Sequence, residues 1–456
     1  MARPRVSIVN KELYCPDAAT TSPIPELRRA DFAGGPPLAP TEHPAYTFAR
    51  QPARAGGVGS PSDVSYRMAL TRSKRLQALP PYLFAEIDRK RRAAKAAGRD
   101  IIDFGVGDPD QPTHAFIIDR MSEAIRRPEN HVYPLGGGGT EFRRRVAAFF
   151  QQRYGVEVDP ARELLALIGS KEGIGHLPLA LVNPGQTVLV PSPGYPVYRA
   201  GTIFAGGEPY LMELTEAGGW LPDFDAIPTE VTKQAVLMFL NYPNNPTGAV
   251  ATREFYERAV AFAMRRNLLI AQDAAYNELY LADERPPSIL EVPGARDVAI
   301  EFHSASKTFN MTGWRVGFAV GNAEIIAALA GVKANLDSGV FAAIQEAACA
   351  AYERFDGPEV ERMRALYRER AALLCEGLNG LGFQARPPTA TFYVWARVPP
   401  GTDSMSACNR LLDEASVVAV PGVGFGPTGE GYLRFALNVA TERIRTALDR
   451  LRAIQW

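Results

Sequence analysis

The side chains able to do chemistry gather in five short segments that follow apolar runs. Lys307 lies in Ser304-Ala305-Ser306-Lys307-Thr308, behind the run VAIEFH, in a segment that continues to Arg315. A lysine at a strand end beside hydroxyls can have its pKa lowered by burial and act as an amine nucleophile. Arg315 can fork onto a phosphate together with Ser304 and Ser306. Asp273 opens Asp273-Ala274-Ala275-Tyr276, directly after LLIAQ. A carboxylate placed there is costly unless it meets a cation. That cation is either a protein arginine or lysine, or the protonated ring nitrogen of a cofactor. The run from Asn241 to Gly248, with Asn245 in it, is dense in turn formers, so a side-chain amide held there can donate to a ligand oxygen. Gly169-Ser170-Lys171-Glu172-Gly173 opens a helix with small residues, which suits a phosphate or a plain turn. Tyr195, between Gly194 and Pro196, either packs at the surface or offers its ring face to a planar ligand.

The elements that position these segments are legible as an alternation. From about 110 to 345, short β-branched runs such as QTVLVPSPGY, QAVLMFLNYP and RVGFAVGN are separated by helical periods. Runs apolar on both faces suit a mostly parallel sheet covered on both sides, and ligands then bind at the carboxyl ends of the strands. After about 345 the pattern predicts one long helix through YERFDGPEVERMRALYRERAALLCEGLNGL. Shorter strands, TFYVWARV and EGYLRFALNV, and a last helix follow, forming a smaller α+β domain. The expected organisation is an irregular extension at 1–67, a helical arm at 68–109 packing with the small domain, a large domain at 110–345 and a small domain at 346–456. The extension holds 10 of the 37 prolines and no sustained period. It is a real tail or binding arm, a transit segment, or sequence ahead of a start at Met68.

Composition narrows the partners. The 456 residues carry 50 basic and 50 acidic side chains, which argues against a general hold on nucleic acid or anionic membrane. No apolar stretch approaches the roughly 18 residues of a membrane-spanning helix. Cys15, Cys349, Cys375 and Cys408 have no metal-ligand spacing and are expected as buried free thiols in a cytoplasmic protein. The five histidines show no paired metal spacing either.

Taken in order, SKEG, PGYP, NYPNNPTG, DAAY and SASKTFNMTGWRVG resemble the fold-type I pyridoxal-phosphate aminotransferases over about residues 68–456. The resemblance implies an α/β fold with a large, mostly parallel domain and a smaller α+β domain. It implies that Lys307 forms the Schiff base with pyridoxal phosphate and then shuttles a proton. Asp273 would keep the ring nitrogen protonated, Asn245 and Tyr276 would bond the phenolic oxygen, and Tyr195 would stack on the ring. Ser170, Lys171, Ser304, Ser306 and Arg315 fall at phosphate-binding positions. Tyr133 falls where the family sends a tyrosine to the partner's phosphate, which implies a homodimer with shared sites. Arg434 matches the clamp on the substrate α-carboxylate, with Asn438 facing the same side. Gly107 is where backbone comes close to the substrate.

Longer stretches, among them LQALPPYLFAEIDRK and GVGDPDQPT, are similar to bacterial LL-diaminopimelate aminotransferases. That implies transfer from LL-diaminopimelate to 2-oxoglutarate, in lysine biosynthesis. One segment departs from the family, which usually carries an acid after the interface tyrosine. Here Gly136-Gly137-Gly138-Gly139 stands instead. Another or broader amino donor therefore stays open, as do a non-transaminating use of the cofactor and a binding-only regulator. No helix-turn-helix pattern precedes the fold to support a regulator.

Overall fold

The apolar runs become strands buried on both faces. In the computed structural model, residues 71–80 and 83–456 are described, with the side chains of 83–87 left aside. The 1–67 extension, Cys15, His43 and Met68 lie outside the described residues. The sheet uses β1 (Leu164–Leu167), β2 (Thr187–Ser192), β3 (Glu208–Glu213), β4 (Ala235–Asn241), β5 (Leu269–Asp273), β6 (Ala299–Ser304) and β7 (Gly317–Gly321). Their spatial order is β1-β7-β6-β5-β4-β2-β3. All neighbours are parallel except β7, which runs antiparallel to both β1 and β6. Along β4, Ala235, Met238 and Leu240 enter one core, and Leu237 and Phe239 enter the other. Two buried faces explain why the strand reads as a continuous apolar run rather than an alternation.

After one helical turn at Lys74–Gln77 comes α1 (Leu83–Ala96). Ala94 of α1 packs with Leu412 and Val418, and Lys90 Nζ donates to Asn409 at 2.7 Å. Ile102–Asp103 then pairs in parallel with Val417–Val418. The sheet carries α2 (Thr140–Tyr154), α3 (Ser170–Leu181) and α4 (Val197–Ala205). The long helix expected through 352–381 is two helices: one ends at Glu353, and α5 spans Pro358–Asn379. The break follows from Gly357-Pro358. Proline lacks the N–H and the room to continue a helix, yet suits the first position of the next one.

The C-terminal part has its own sheet, β8 (Tyr393–Arg397), β9 (Val420–Pro421) and β10 (Tyr432–Ala436), antiparallel in the order β9-β10-β8. Leu433, Phe435, Val394, Leu411 and Leu448 share a second core with Ile102 and Phe104. Cys349, Cys375 and Cys408 are buried and free, and burial pushes each thiol up to about 12. No helix among the described residues is long and apolar enough to cross a membrane.

Candidate active site

Parallel pairing sets the ends of β4, β5 and β6 side by side: Asn241 lies opposite Asp273, and Asp273 opposite Phe302. The edge strand β1 runs in the same direction as β6, so Leu167 and Ser304 both flank Gly317. The loops after these strands open onto a cavity of about 1760 Å³. It is lined by Gly107, Ser170, Lys171, Tyr195, Asn245, Asp273, Tyr276, Ser304, Ser306, Lys307, Arg315 and Arg434. Of the expected site residues, Tyr133 and Asn438 are not among those lining it; Tyr133 stands well apart. It is 77% exposed, on a loop with the similarly exposed Val132 and Leu135.

Asp273 is buried, and among the described residues no lysine or arginine pairs with it. Burial pushes its carboxyl up to about 6, although Tyr198 Oη donates to Oδ2 at 2.8 Å and the Ala275 N–H to Oδ1 at 3.1 Å. The protein cation weighed as its partner is therefore not there. Lys307 shows the mirror image. Burial lowers its ammonium to about 8, with Asp108 opposing and Arg434 and Arg315 adding to the shift. Its Nζ donates to the Gly107 carbonyl at 2.6 Å. A lone carboxylate and a lone amine, each pushed toward neutrality on one cavity wall, are the mark of groups awaiting a ligand.

The phosphate-type residues form a second cluster. Gly169, with φ +73°, caps α3, whose first residue is Ser170. A Cβ on Gly169 would lie 2.3 Å from Arg315 Nη2, so only glycine admits the guanidinium there. Arg315 itself holds the left-handed conformation, φ +56°, with Nη1 donating to the Thr312 carbonyl at 2.9 Å. Ser304 Oγ accepts the Ser306 N–H at 3.2 Å, and Lys171 Nζ lies 5.6 Å from the Tyr195 ring centroid.

On the opposite wall, Arg434 Nη1 donates to Asn245 Oδ1 at 2.9 Å and Nη2 to the Gly105 carbonyl at 2.7 Å. Its buried Nε has no partner. Tyr276 Oη is 3.0 Å from Tyr393 Oη. Asn438, expected on the same side as Arg434, instead donates to the carbonyls of Val106 and Asp108 at 2.5 and 2.6 Å. It shapes the loop around Gly107 and is not among the cavity residues.

A match to the family of class I and II aminotransferases extends over residues 99–451. The LL-diaminopimelate aminotransferase of Syntrophobacter fumaroxidans is 52% identical over 85% of this chain and 100% of its own length. The chain belongs to the class I and II aminotransferases. The enzyme of the same name from Aquifex aeolicus is 52% identical over 84% of this chain and 99% of its own. Among solved structures, substrate-bound BacF of Bacillus subtilis superposes with a TM-score of 0.81 at 38% identity, over 85% of this chain and 99% of that one. An aspartate aminotransferase double mutant of Thermus thermophilus gives 0.79 at 30%, over 85% and 100%.

Aminotransferases of this class use pyridoxal phosphate, and the cavity fits it. A buried carboxylate without a cation among the described residues suits a protonated ring nitrogen, and a helix N-terminus beside a glycine-cradled arginine suits a phosphate. A metal fits less well. Glu172, His176 and Asp337 come together, but the Lys333 ammonium already bonds Glu172 at 3.0 Å and Asp337 at 2.9 Å.

Sequence reasoning missed Tyr198, which steadies Asp273 across 75 positions, and Tyr393, which meets both Tyr276 and Arg434. Tyr198 was within reach, since it lies one helical turn after Tyr195 behind a turn motif. Tyr393 sits in an ordinary apolar strand and carries no local signal.

Proposed function

We propose that this aminotransferase moves an amino group from LL-diaminopimelate to 2-oxoglutarate in lysine biosynthesis, as a cytoplasmic homodimer. The relatives' shared name over nearly their whole length supports the donor. The observation that carries the chemistry is the pair of buried, oppositely shifted groups Asp273 and Lys307 on one cavity, neither of them in a salt bridge among the described residues.

Bound pyridoxal phosphate supplies an electrophilic carbon and a ring that delocalises the electron pair left when the substrate loses its α-proton. The chain does the rest. Lys307 would hold the cofactor and would serve as the base that takes the substrate's α-proton and gives it back. Its lowered pKa, about 8, leaves a usable fraction of free amine near neutral pH. Asp273 holds the proton on the ring nitrogen, and Tyr198 keeps that carboxylate charged. Ser170, Lys171, Ser304, Ser306 and Arg315 anchor the phosphate, and Tyr195 covers the ring. Asn245 and Tyr276 bond the phenolic oxygen. Arg434 clamps the α-carboxylate, and Gly107 lets backbone approach the substrate. Tyr133 reaches the partner's phosphate, and its exposure beside Val132 and Leu135 supports a surface made to be covered.

The glycine run also has a structural part. Gly136, Gly137 and Gly138 all have positive φ, at 82°, 79° and 113°. A Cβ on Gly138 would lie 2.6 Å from Ala166 Cβ, while the Gly137 carbonyl accepts the Ala166 N–H at 2.9 Å. Gly137 and Gly138 thus form a tight turn against β1.

Single half-reactions test the proposal. The loaded enzyme is mixed in turn with LL-diaminopimelate, glutamate, aspartate, alanine and an aromatic amino acid. Cofactor absorbance then reports its conversion from carbonyl to amine form. Fast conversion by LL-diaminopimelate and glutamate, and by little else, is expected. Conversion by a different donor, with LL-diaminopimelate inert, would overturn the substrate and keep the class.

A further inference from the structure

Tyr393 of β8 meets Tyr276 and Arg434 and lies against Gly107. It is buried, and its Oη lies 3.0 Å from Tyr276 Oη. The Arg434 guanidinium carbon sits 4.2 Å from its ring centroid, while the Phe425 ring lies 4.9 Å from the same carbon. The sheet register explains the stacking: Ala436 faces Tyr393, so Arg434, two residues back on the same face, is its diagonal neighbour. Gly107 closes the set. A Cβ there would lie 2.0 Å from Tyr393 Oη, and the Gly107 carbonyl accepts from Lys307.

We propose that Tyr393 is a positioning residue that couples the carboxylate clamp Arg434 to the hydroxyl of Tyr276. This rests on the roles given above to Arg434 and Tyr276. The ring fixes the plane of the guanidinium, leaving its edge to meet the substrate carboxylate, because a cation over an aromatic face is held by the ring quadrupole. The hydroxyl acts on the other partner. Each of the two phenols carries one proton. When Tyr393 donates to Tyr276, the Tyr276 proton is free to point at the cofactor's phenolic oxygen, and the chained bonds strengthen each other. Substrate capture and cofactor tuning thus share one side chain.

Two variants of the full-length, cofactor-loaded enzyme separate the arms. Y393F keeps the ring and removes the hydroxyl. Y393M fills the volume with neither ring nor hydroxyl. A weaker donor on the phenolic oxygen stabilises its anion less, so in Y393F the pH midpoint of the cofactor absorbance should rise by about half to one unit. Its KM for glutamate should stay within about twofold of the parent. Y393M should show the same spectral shift and a KM raised about tenfold. An unmoved midpoint in Y393F overturns the coupling. So does a KM that rises equally in both variants, or in neither. If Y393M does not fold, the Y393F midpoint decides alone. Parent enzyme with a normal cofactor band and turnover keeps the functional reading intact whatever the variants do. A parent lacking both would remove that reading itself.

Discussion

Two buried carboxylates five residues apart meet opposite fates. Glu278 is fully matched: Arg153 pairs with it at 3.0 Å and Arg364 at 3.4 Å, and Tyr154 Oη donates to it at 2.9 Å. Arg364 also donates from Nε to the Glu278 carbonyl at 3.0 Å, tying α5 to the segment that carries Tyr276. Asp273 has only a tyrosine and a backbone N–H. The protein has arginines enough to neutralise both and does so for one. A buried charge that is matched internally builds the scaffold, and one left unmatched is an address for a ligand. Lys307 belongs with Asp273, because it too is buried with no ion-pair partner among the described residues, only the Gly107 carbonyl and the Phe392 ring.

The contrast predicts that scaffold and site break differently. Lys307→Ala should lower transamination at least about 10³-fold, since it removes both the covalent anchor and the base. Its cofactor-free form should melt no lower than the parent, because a desolvated amine has been deleted. A large fall in melting temperature would place Lys307 in the scaffold instead. Glu278→Ala should do the reverse, costing about 3–5 kcal/mol of stability by taking the carboxylate from the largely buried Arg153 and leaving Arg364 only the carboxylates of Asp356 and Glu361. Denaturant titration measures it, and the protein that remains folded should keep the cofactor band. A neutral outcome would erase the distinction drawn here.

Asp273→Asn sharpens the comparison through pH. The native carboxyl titrates near 6, above the ordinary 3.8, so the folded state binds the extra proton. Stability of the cofactor-free parent should therefore rise as pH falls from about 6 toward 4, with the full penalty present above 6. The Asn variant should lose that slope and most of its activity together. Tyr198→Phe should act in the same place more mildly. It removes the bond that holds Asp273 down, so the slope should move to higher pH and cofactor affinity fall about three- to tenfold.

The same contrast marks what sequence could carry. Strand-end motifs were legible because a parallel sheet brings their loops together whatever the intervening length. Thus Ser170, Asn245, Asp273 and Lys307, spread over the chain, line one cavity. The Glu278 network was not legible, because it needs three elements whose packing no local pattern encodes. The broken helix at Gly357-Pro358 was legible and was run through, since the helical period resumes on both sides. The glycine run stood out in the sequence as a place of changed specificity, whereas its left-handed backbone and its contact with Ala166 needed the structure to be seen.

The smallest effect is expected at Asp108, the charge that opposes the lowering of Lys307. Burial is the first cause of that lowering, and Asp108 the main counterweight. Asp108 is exposed, so water and salt screen its field. Its backbone carbonyl is already held by Asn438, so Asp108→Asn should leave the loop in place and change only the charge. With the counterweight gone, the free amine should dominate at lower pH. The rising limb of the single-turnover rate against pH should then move downward by less than about one unit, and the shift should shrink as salt approaches about 1 M. A shift of the same size at every salt concentration would mean that Asp108 acts by contact rather than by field. Lys307 would then have a local partner after all, and would stand closer to Glu278 than to Asp273.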